Sequence, residues 1–150
     1  FNEEDVRETG RQTRGVRAIK LHDDDIVVGM ETVDDTATTI LTVTERGYGK
    51  RTELSEYRLQ SRGGSGIINI KTSERNGNVV AIAQVKDTDE IMITTDKGKI
   101  IRIQMTGVPI IGRNTQGVRL MDIDKEETMT GIAPIAEKEE EAVEGEGEEV

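Results

Sequence analysis

Cysteine and tryptophan are absent from the 150 residues, and aromatic side chains make up only 2%. Without cysteine there can be no disulfide and no thiolate metal site, and a reducing, cytoplasmic setting is expected. With so few rings the core has to be built from Ile, Val, Leu, Met and Ala, of which the β-branched members suit strands. No apolar run approaches the roughly 18–20 residues needed to span a bilayer, and no signal peptide opens the chain, so no membrane partner is expected. Helical periodicity is missing outside the charged end. The chain opens on Phe1 in mid-pattern, which reads as an excised piece of a longer protein.

Charge is unevenly spread. Residues 137–150 hold eight Glu and one Lys, which accounts for −7 of the net −10 and leaves only −3 for residues 1–136. The acidity therefore sits in a tail, expected to be disordered, behind a nearly balanced domain.

Repeats dominate the rest. Gly10-Arg11-Gln12-Thr13-Arg14-Gly15-Val16-Arg17 returns 102 residues later as Gly112-Arg113-Asn114-Thr115-Gln116-Gly117-Val118-Arg119. Halfway between, 51 residues from each, lies Ser61-Arg62-Gly63-Gly64-Ser65-Gly66-Ile67. Residues 40–51 and 91–102 are also 51 apart, and Gly29-Met30 corresponds to Ala81-Ile82 and Gly131-Ile132. Each unit reads as four short strands. In the second repeat these are Thr39–Thr44, Tyr48–Leu54, Ile67–Lys71 and Val79–Val85, with Gly47, like Gly98, turning the hairpin at positive φ. Val16–Leu21 and Val118–Ile123 are the strands corresponding to Ile67–Lys71. A period near 51 with four strands per unit predicts an all-β, propeller-like array of blades. The repeats fall at about 1–33, 39–85 and 89–135, within a domain covering 1–136. Three blades do not close a usual ring of roughly four to eight. The array is therefore expected either to continue upstream or to leave a sheet edge exposed.

Enzyme signatures are missing: there is no phosphate-binding Gly-x-x-x-x-Gly-Lys-Ser/Thr and no Gly-x-Gly-x-x-Gly after a strand. His22 beside Asp23, Asp24 and Asp25 could suggest a metal or an acid–base pair, but reads better as a solvated turn. Asp87, Asp89 and Glu90 are read as the equivalent connection. Tyr48 and Tyr57 lack a neighbouring base and read as packing residues. No catalytic residue, metal site or cofactor is expected.

The glycine loops are more informative. Arg11…Gly15, Arg62-Gly63-Gly64-Ser65-Gly66 and Arg113…Gly117 each set a base beside permissive backbone that could approach a phosphate. Taken singly they could be plain blade-connecting turns. Recurrence favours the functional reading, because one position on successive blades forms an arc, and no folding need for the arginine is evident. Further bases recur: Arg51 with Arg102, Lys20 with Lys71, Arg17 with Arg119, with Arg14, Lys50 and Arg58 nearby. An arc of cations neutralises phosphates without reading bases. The scarcity of aromatics removes the stacking platform that single strands need. Duplex DNA curved along a basic rim is the expected partner.

Several motifs together resemble the C-terminal domain of the bacterial DNA gyrase A protein, in particular its last three blades. They are Glu4-Asp5-Val6-Arg7, Gly10-Arg11-x-x-Arg14-Gly15-Val16-Arg17, Gly47-Tyr48-Gly49-Lys50-Arg51-Thr52, Ser55-Glu56-Tyr57 and Gly112-Arg113-Asn114-Thr115-Gln116-Gly117-Val118. The resemblance covers nearly all of residues 1–136 and implies a β-pinwheel, a six-bladed disc whose blades exchange strands and whose rim wraps duplex DNA. It implies a role in ATP-dependent negative supercoiling by a type II topoisomerase, with ATP and Mg used elsewhere in a heterotetramer with the gyrase B protein. It further implies a cytoplasmic, nucleoid-associated location. Gln60-Ser61-Arg62-Gly63-Gly64-Ser65-Gly66 is similar to a degenerate copy of the family's Gln-Arg-Arg-Gly-Gly-Lys-Gly box, with serine at two basic positions. Two other readings stay open: the C-terminal domain of the topoisomerase IV A protein, and a protein-interaction propeller. The acidic tail is either a solubilising end or a polyanion that competes with DNA for the rim.

Overall fold

The computed structural model describes residues 1–34 and 38–135. The expected tail lies outside the described residues.

Alternation of threonine with aliphatic residues gives β1 (Thr39–Thr44), and Glu45-Arg46-Gly47 turns the chain into β2 (Tyr48–Glu53). The turn needs φ of +83° at Gly47, a region where a side chain would clash with its own backbone. β3 (Val79–Val85) pairs with the other edge of β1. The third repeat copies this plan with β4 (Glu90–Thr95), β5 (Ile100–Gln104) and, at the end, β7 (Met129–Pro134). Thr39 opposes Glu53 and Glu90 opposes Gln104, so the two hairpins share one register 51 residues apart. A bulge at Val43/Thr44 recurs at Thr94/Thr95, and Gly98 repeats the positive φ at +82°. Short 3-10 turns at Glu3–Asp5, Leu54–Glu56 and Met105–Gly107 keep the same spacing.

The two sheets differ in one strand. β6 (Val118–Arg119) belongs by sequence to the third repeat but completes the sheet of the second, giving the order β3-β1-β2-β6 against β5-β4-β7. Repeats are thus joined by strand exchange. The expected third strand of the last unit serves its neighbour, and it is two residues long rather than the six of Val118–Ile123.

Neither Val16–Leu21 nor Ile67–Lys71 forms a strand, although both were expected to. By the 51-residue relation their partners would be hairpins of repeats preceding the second, and residues 1–34 carry no strand. Apolar side chains there stay open to solvent, Ile26 at 77% and Met30 at 83% exposure. The segment still rests on the second repeat. Gln84 Nε2 donates to the Asp34 carbonyl (2.9 Å), and the Asp34 N–H donates to Gln84 Oε1 (3.3 Å).

The core lies between the two sheets. Leu41, Val43, Ala83 and Val85 of one pack with Ile91, Ile93, Met105, Val108, Met121 and Met129. It is aliphatic and thioether throughout, as the dearth of rings requires. All six residues of β1 are buried, so its hydroxyls need partners. Thr39 donates to the Val85 carbonyl (2.8 Å), Thr44 to the Tyr48 carbonyl (3.2 Å), and Thr42 accepts from Asn69 (2.9 Å).

Three polar residues do the same work in successive repeats. Asp25, Asn76 and Glu127 each accept the backbone N–H three positions earlier, from His22 (3.2 Å), Ser73 (2.7 Å) and Asp124 (3.2 Å). His22 therefore belongs to a repeated turn, and among the described residues no group of ligating side chains could hold a metal. Asp87, Asp89 and Glu90 were expected on this connection but lie on another. Asp87 pairs with Arg51, Asp89 accepts from the Lys86 N–H, and Glu90 pairs with Arg102.

Glu127 is buried, with Thr95 (2.6 Å) and Lys99 (2.9 Å) donating to its carboxylate. Those bonds hold its pKa down to about 2, from an ordinary 4.5. A carboxyl depressed on folding adds stability above its unfolded pKa and loses it as pH falls through the folded value. The difference in urea midpoint between the parent chain and Glu127→Gln should be fully developed above about pH 4.5 and shrink steadily towards pH 2.

Candidate nucleic-acid interface

The second and third glycine loops are each fastened to the repeat before, by the same bonds both times. The Lys20 N–H donates to the Gly64 carbonyl and the Lys71 N–H to the Thr115 carbonyl, both at 2.8 Å. The recurring arginine clasps the same neighbour. Arg62 Nη1 donates to the Arg17 carbonyl (2.6 Å), and Arg113 Nη1 donates to that of Ile68 (2.7 Å). All four partners shift by 51 residues together, so successive loops stand in one relation to successive repeats. The arginine thus has a folding role that the sequence did not disclose. Arg62 also donates from Nε to the Asp5 carbonyl (3.1 Å), whereas Arg113 Nε is buried without a partner among the described residues.

Within these loops the tightest backbone approach is at Gly117, where a Cβ would stand 2.6 Å from the Gly49 carbonyl oxygen. Only glycine permits that contact at φ +79°. Thr115 Oγ1 donates back to the Gly112 carbonyl (2.7 Å), and Thr13 does the same to Gly10 (2.9 Å), giving the first and third loops one internal turn.

Lys50 and Arg51, expected on the rim, are interior. Lys50 is fully buried, and its Nζ donates to the carbonyls of Gly112 and Arg113 (2.6 Å each) and to Thr115 Oγ1 (3.1 Å). Burial draws its pKa down to about 8, against the opposing pull of Glu56. Arg51 is 4% exposed; its Nε donates to the Val108 carbonyl (3.0 Å) and its Nη1 pairs with Asp87. Neither can meet a phosphate without giving up the bonds that seat the third repeat's loop. Their place in a hairpin covered by β6 explains why a basic run was mistaken for surface.

The remaining candidates divide by partner. Arg11, Arg14, Arg17, Lys20, Arg58 and Lys71 are exposed and have no acidic partner among the described residues. Loop fastening brings Arg17 and Lys20 to Arg62, and Lys71 to the Arg113 loop. Arg58 is exposed on the approach to Gln60, which is half-buried. Arg62 and Arg113 bond carbonyls, so their charge is not neutralised by a carboxylate. Gly63, Gly64 and Gly66 carry the turn of the box-like segment, with Gly63 and Gly66 at positive φ. Arg102 is committed to Glu90, and Arg119 has a looser pairing with Asp122 at 3.6 Å.

A second cluster was missed. Arg75 Nε and Arg119 Nη2 both donate to the Tyr48 hydroxyl (3.2 Å each), with guanidinium carbons 5.1 and 5.6 Å from the ring centre. The hydrogen bonds from Arg119 and Arg75 hold the phenol below its ordinary pKa. Arg46 lines the same 430 Å³ cavity and donates to the Lys125 carbonyl (2.7 Å). Arg75 has Asp24 and Glu126 as its counterparts 51 residues away, so repetition could not flag it, whereas Arg46 is matched by Lys97 and was passed over as part of the hairpin turn. Tyr57, half-buried, donates to Asn69, and burial raises its pKa.

Replacing Lys50 by Met should leave the Gly112 and Arg113 carbonyls with Thr115 alone and lower stability by about 1–3 kcal/mol. Arg119→Ala, at an exposed site, should leave the unfolding midpoint nearly where it was. Equilibrium urea unfolding of both variants checks the contrast.

Comparison with known proteins agrees with this geometry. A family described as the DNA gyrase C-terminal domain, β-propeller, matches residues 1–34, 38–86 and 89–136. The DNA gyrase A protein of Haloquadratum walsbyi is 47% identical over 133 residues, which is 88% of this chain and 16% of that protein. Its Escherichia coli counterpart is 45% identical over 137 residues, 91% of this chain and again 16% of the relative. The chain therefore spans about one-sixth of the length of these proteins. Among solved structures, a DNA gyrase A C-terminal domain superposes with a TM-score of 0.84 at 30% identity, covering 91% of this chain and 46% of that one. A topoisomerase IV C-terminal domain shares the fold, with a TM-score of 0.83 at 21% identity over 90% of this chain and 42% of that one. The three matched segments fall on the three repeats joined by exchanged strands and fastened loops, and the chain belongs to the DNA gyrase C-terminal domain family.

Proposed function

We propose that this chain binds duplex DNA along its loop-bearing rim and helps to wrap it, as part of the C-terminal domain of a gyrase A protein. The observation that carries this reading is the set of exposed, unneutralised bases around loops fastened identically to successive repeats. Charges set at a regular interval suit a regular polyanion, and contacts to phosphates require no base reading. The near absence of aromatic side chains favours a stacked duplex over an unstacked strand. Arg46, Arg75 and Arg119 are added to the candidate contacts. In this reading the segment itself uses no cofactor. ATP and Mg act elsewhere in a heterotetramer with the gyrase B protein, in the bacterial cytoplasm, during negative supercoiling.

Titration of a linear duplex at rising salt tests the proposal. If roughly six to ten phosphates are contacted, affinity should fall by about 10³–10⁵ between 50 and 200 mM salt. Arg17→Ala, Lys20→Ala and Lys71→Ala should each weaken binding similarly on unrelated sequences and reduce the salt slope by about one. Lys86→Ala, outside the loops, should change neither. Binding that ignores salt, or loses nothing in the three variants, would overturn the reading.

A further inference from the structure

Three positions carry different chemistry in the second and third repeats. Lys99, Glu126 and Glu127 correspond, 51 residues back, to Tyr48, Arg75 and Asn76. In the third repeat the cation meets its own carboxylate, because Lys99 Nζ donates to Glu127 Oε2 at 2.9 Å. In the second, Asn76 brings no charge and gives its amide hydrogens to the carbonyls of Lys71 (2.9 Å) and Gln116 (3.1 Å). The three positions therefore sum to −1 in the third repeat, one Lys against two Glu, and to +1 in the second, where Arg75 stands alone. β6 enlarges that surplus by setting Arg119 opposite Tyr48.

Two guanidiniums thus converge on one phenol. Arg75 Nε and Arg119 Nη2 each donate to the Tyr48 oxygen at 3.2 Å, which occupies both of its acceptor sites. The hydrogen of that hydroxyl has no acceptor among the described residues, and the two Nη groups of Arg75 have none either. Tyr48 is buried, yet it lines the 430 Å³ cavity beside Arg46, Arg75, Arg119 and Lys125. Glu74, Asp122 and Asp124 line it as well. Among the described residues Asp122 alone pairs with either arginine, Arg119 at 3.6 Å, and that pair lies largely in solvent. The bonds from Arg119 and Arg75 hold the phenol below its ordinary pKa, the direction expected where positive charge is left in excess.

The unused donors suit one kind of ligand. Like charges drawn to a single oxygen repel each other, and an anion seated between them relieves that repulsion. Two planar forks and a phenolic O–H can each serve a different oxygen of a tetrahedral oxyanion. A carboxylate, with two oxygens in one plane, leaves one of the three donors unmatched.

We infer that the cavity around Tyr48 is a binding site for a single phosphate group, gripped by Arg75 and Arg119, with Tyr48 donating its hydroxyl and positioning both. Every element around the cavity belongs to the second or third repeat. The phosphate can be part of a duplex backbone or free in solution. In the first case the inference rests on the proposed rim and adds a fixed anchor next to its third loop, since Arg119 follows Gly117 by two residues.

The test follows the arginine Nε–H signals of the isotope-labelled whole chain by nuclear magnetic resonance, in mildly acidic buffer. Inorganic phosphate replaces chloride at constant ionic strength. The Arg75 and Arg119 signals should shift saturably along one binding curve, while those of Arg11 and Arg14 should not respond to the exchange. Tyr48→Phe leaves every charge in place but removes the hydroxyl, and should weaken phosphate binding by about tenfold, the worth of one hydrogen bond to a charged group. Arg119→Lys, at an exposed site, keeps the charge without the fork and should weaken it as well. Far-ultraviolet dichroism checks that both variants keep their fold, and Arg119→Lys decides the matter if Tyr48→Phe does not.

A linear duplex then separates the two sources. A backbone phosphate in the site shifts the same two signals and abolishes their response to inorganic phosphate. A site for free phosphate keeps that response in the duplex-bound chain. Failure of the duplex to bind, with the phosphate response intact, would sink the rim reading and leave this site standing. Signals of Arg75 and Arg119 that answer phosphate no more than chloride, or a response equal in the parent chain and Arg119→Lys, would overturn the inference.

Discussion

No repeat in this chain completes its own sheet. The second finishes with β6, a strand lent by the third across more than sixty residues of sequence, and most other features follow from that loan. Lys50 is buried because the lent segment covers it, and its ammonium is satisfied because the loop preceding the strand brings two carbonyls within 2.6 Å. Gly117 has room for no Cβ because the Gly49 carbonyl meets it there, and Gly49 for none because Leu120 and the Thr42 carbonyl lie against it. Stability in such an array is largely a matter of nearest neighbours. Residues 1–34, which carry no strand, leave Ile26, Val27 and Met30 exposed, while β1 of the second repeat, paired on both edges, is buried along its whole length.

The same linkage lets one arginine serve structure and, in the proposed reading, recognition as well. Arg62 and Arg113 reach a backbone carbonyl of the neighbouring repeat rather than a carboxylate. A carbonyl fixes the guanidinium in place but does not cancel its charge, so the residue remains an attractive point for a phosphate. Arg51 and Arg102 show the contrasting use. Each is tied to an acid, Asp87 or Glu90, and their charge is largely spent within the molecule. The proposed rim therefore depends on which acceptor each base has found, and not on how many bases the chain contains.

That distinction marks where sequence reading succeeds and where it stops. The period, the hairpin turns at Gly47 and Gly98 and the ring-poor core were legible because each depends on residue type at a local position. Strand partnership was not, because Val118 finds Gly49 through the packing of whole repeats. Lys50 and Arg51 look like surface residues in Gly47-Tyr48-Gly49-Lys50-Arg51-Thr52, since nothing local announces that another segment will lie over them. The turn shared by Asp25, Asn76 and Glu127 was hidden for a different reason. Its requirement is an oxygen that accepts an N–H, and an acid, an amide and a longer acid all supply one. Likewise the arginines around Tyr48 come from a hairpin turn, a later loop and the third repeat, and they meet only once the strand has been exchanged.

Tyr48 shows how little aromatic surface this architecture has to offer a ligand. The residue is 5% exposed and flanked by Arg75 and Arg119, and its hydroxyl is taken up by both. Tyr57 is half-buried and bound to Asn69. With both tyrosines committed inside and Phe1 the one exposed phenyl ring among the described residues, an unstacked strand would find a single such ring to stack on, whereas a phosphate backbone would find charge at each junction. A scaffold that spends both tyrosines on internal packing and leaves most of its loop cations facing solvent is suited to a ligand whose charge repeats and whose bases stay paired. In the proposed reading, sequence preference on such a rim would come from how readily the duplex bends, because contacts that ignore the bases can select only through deformation.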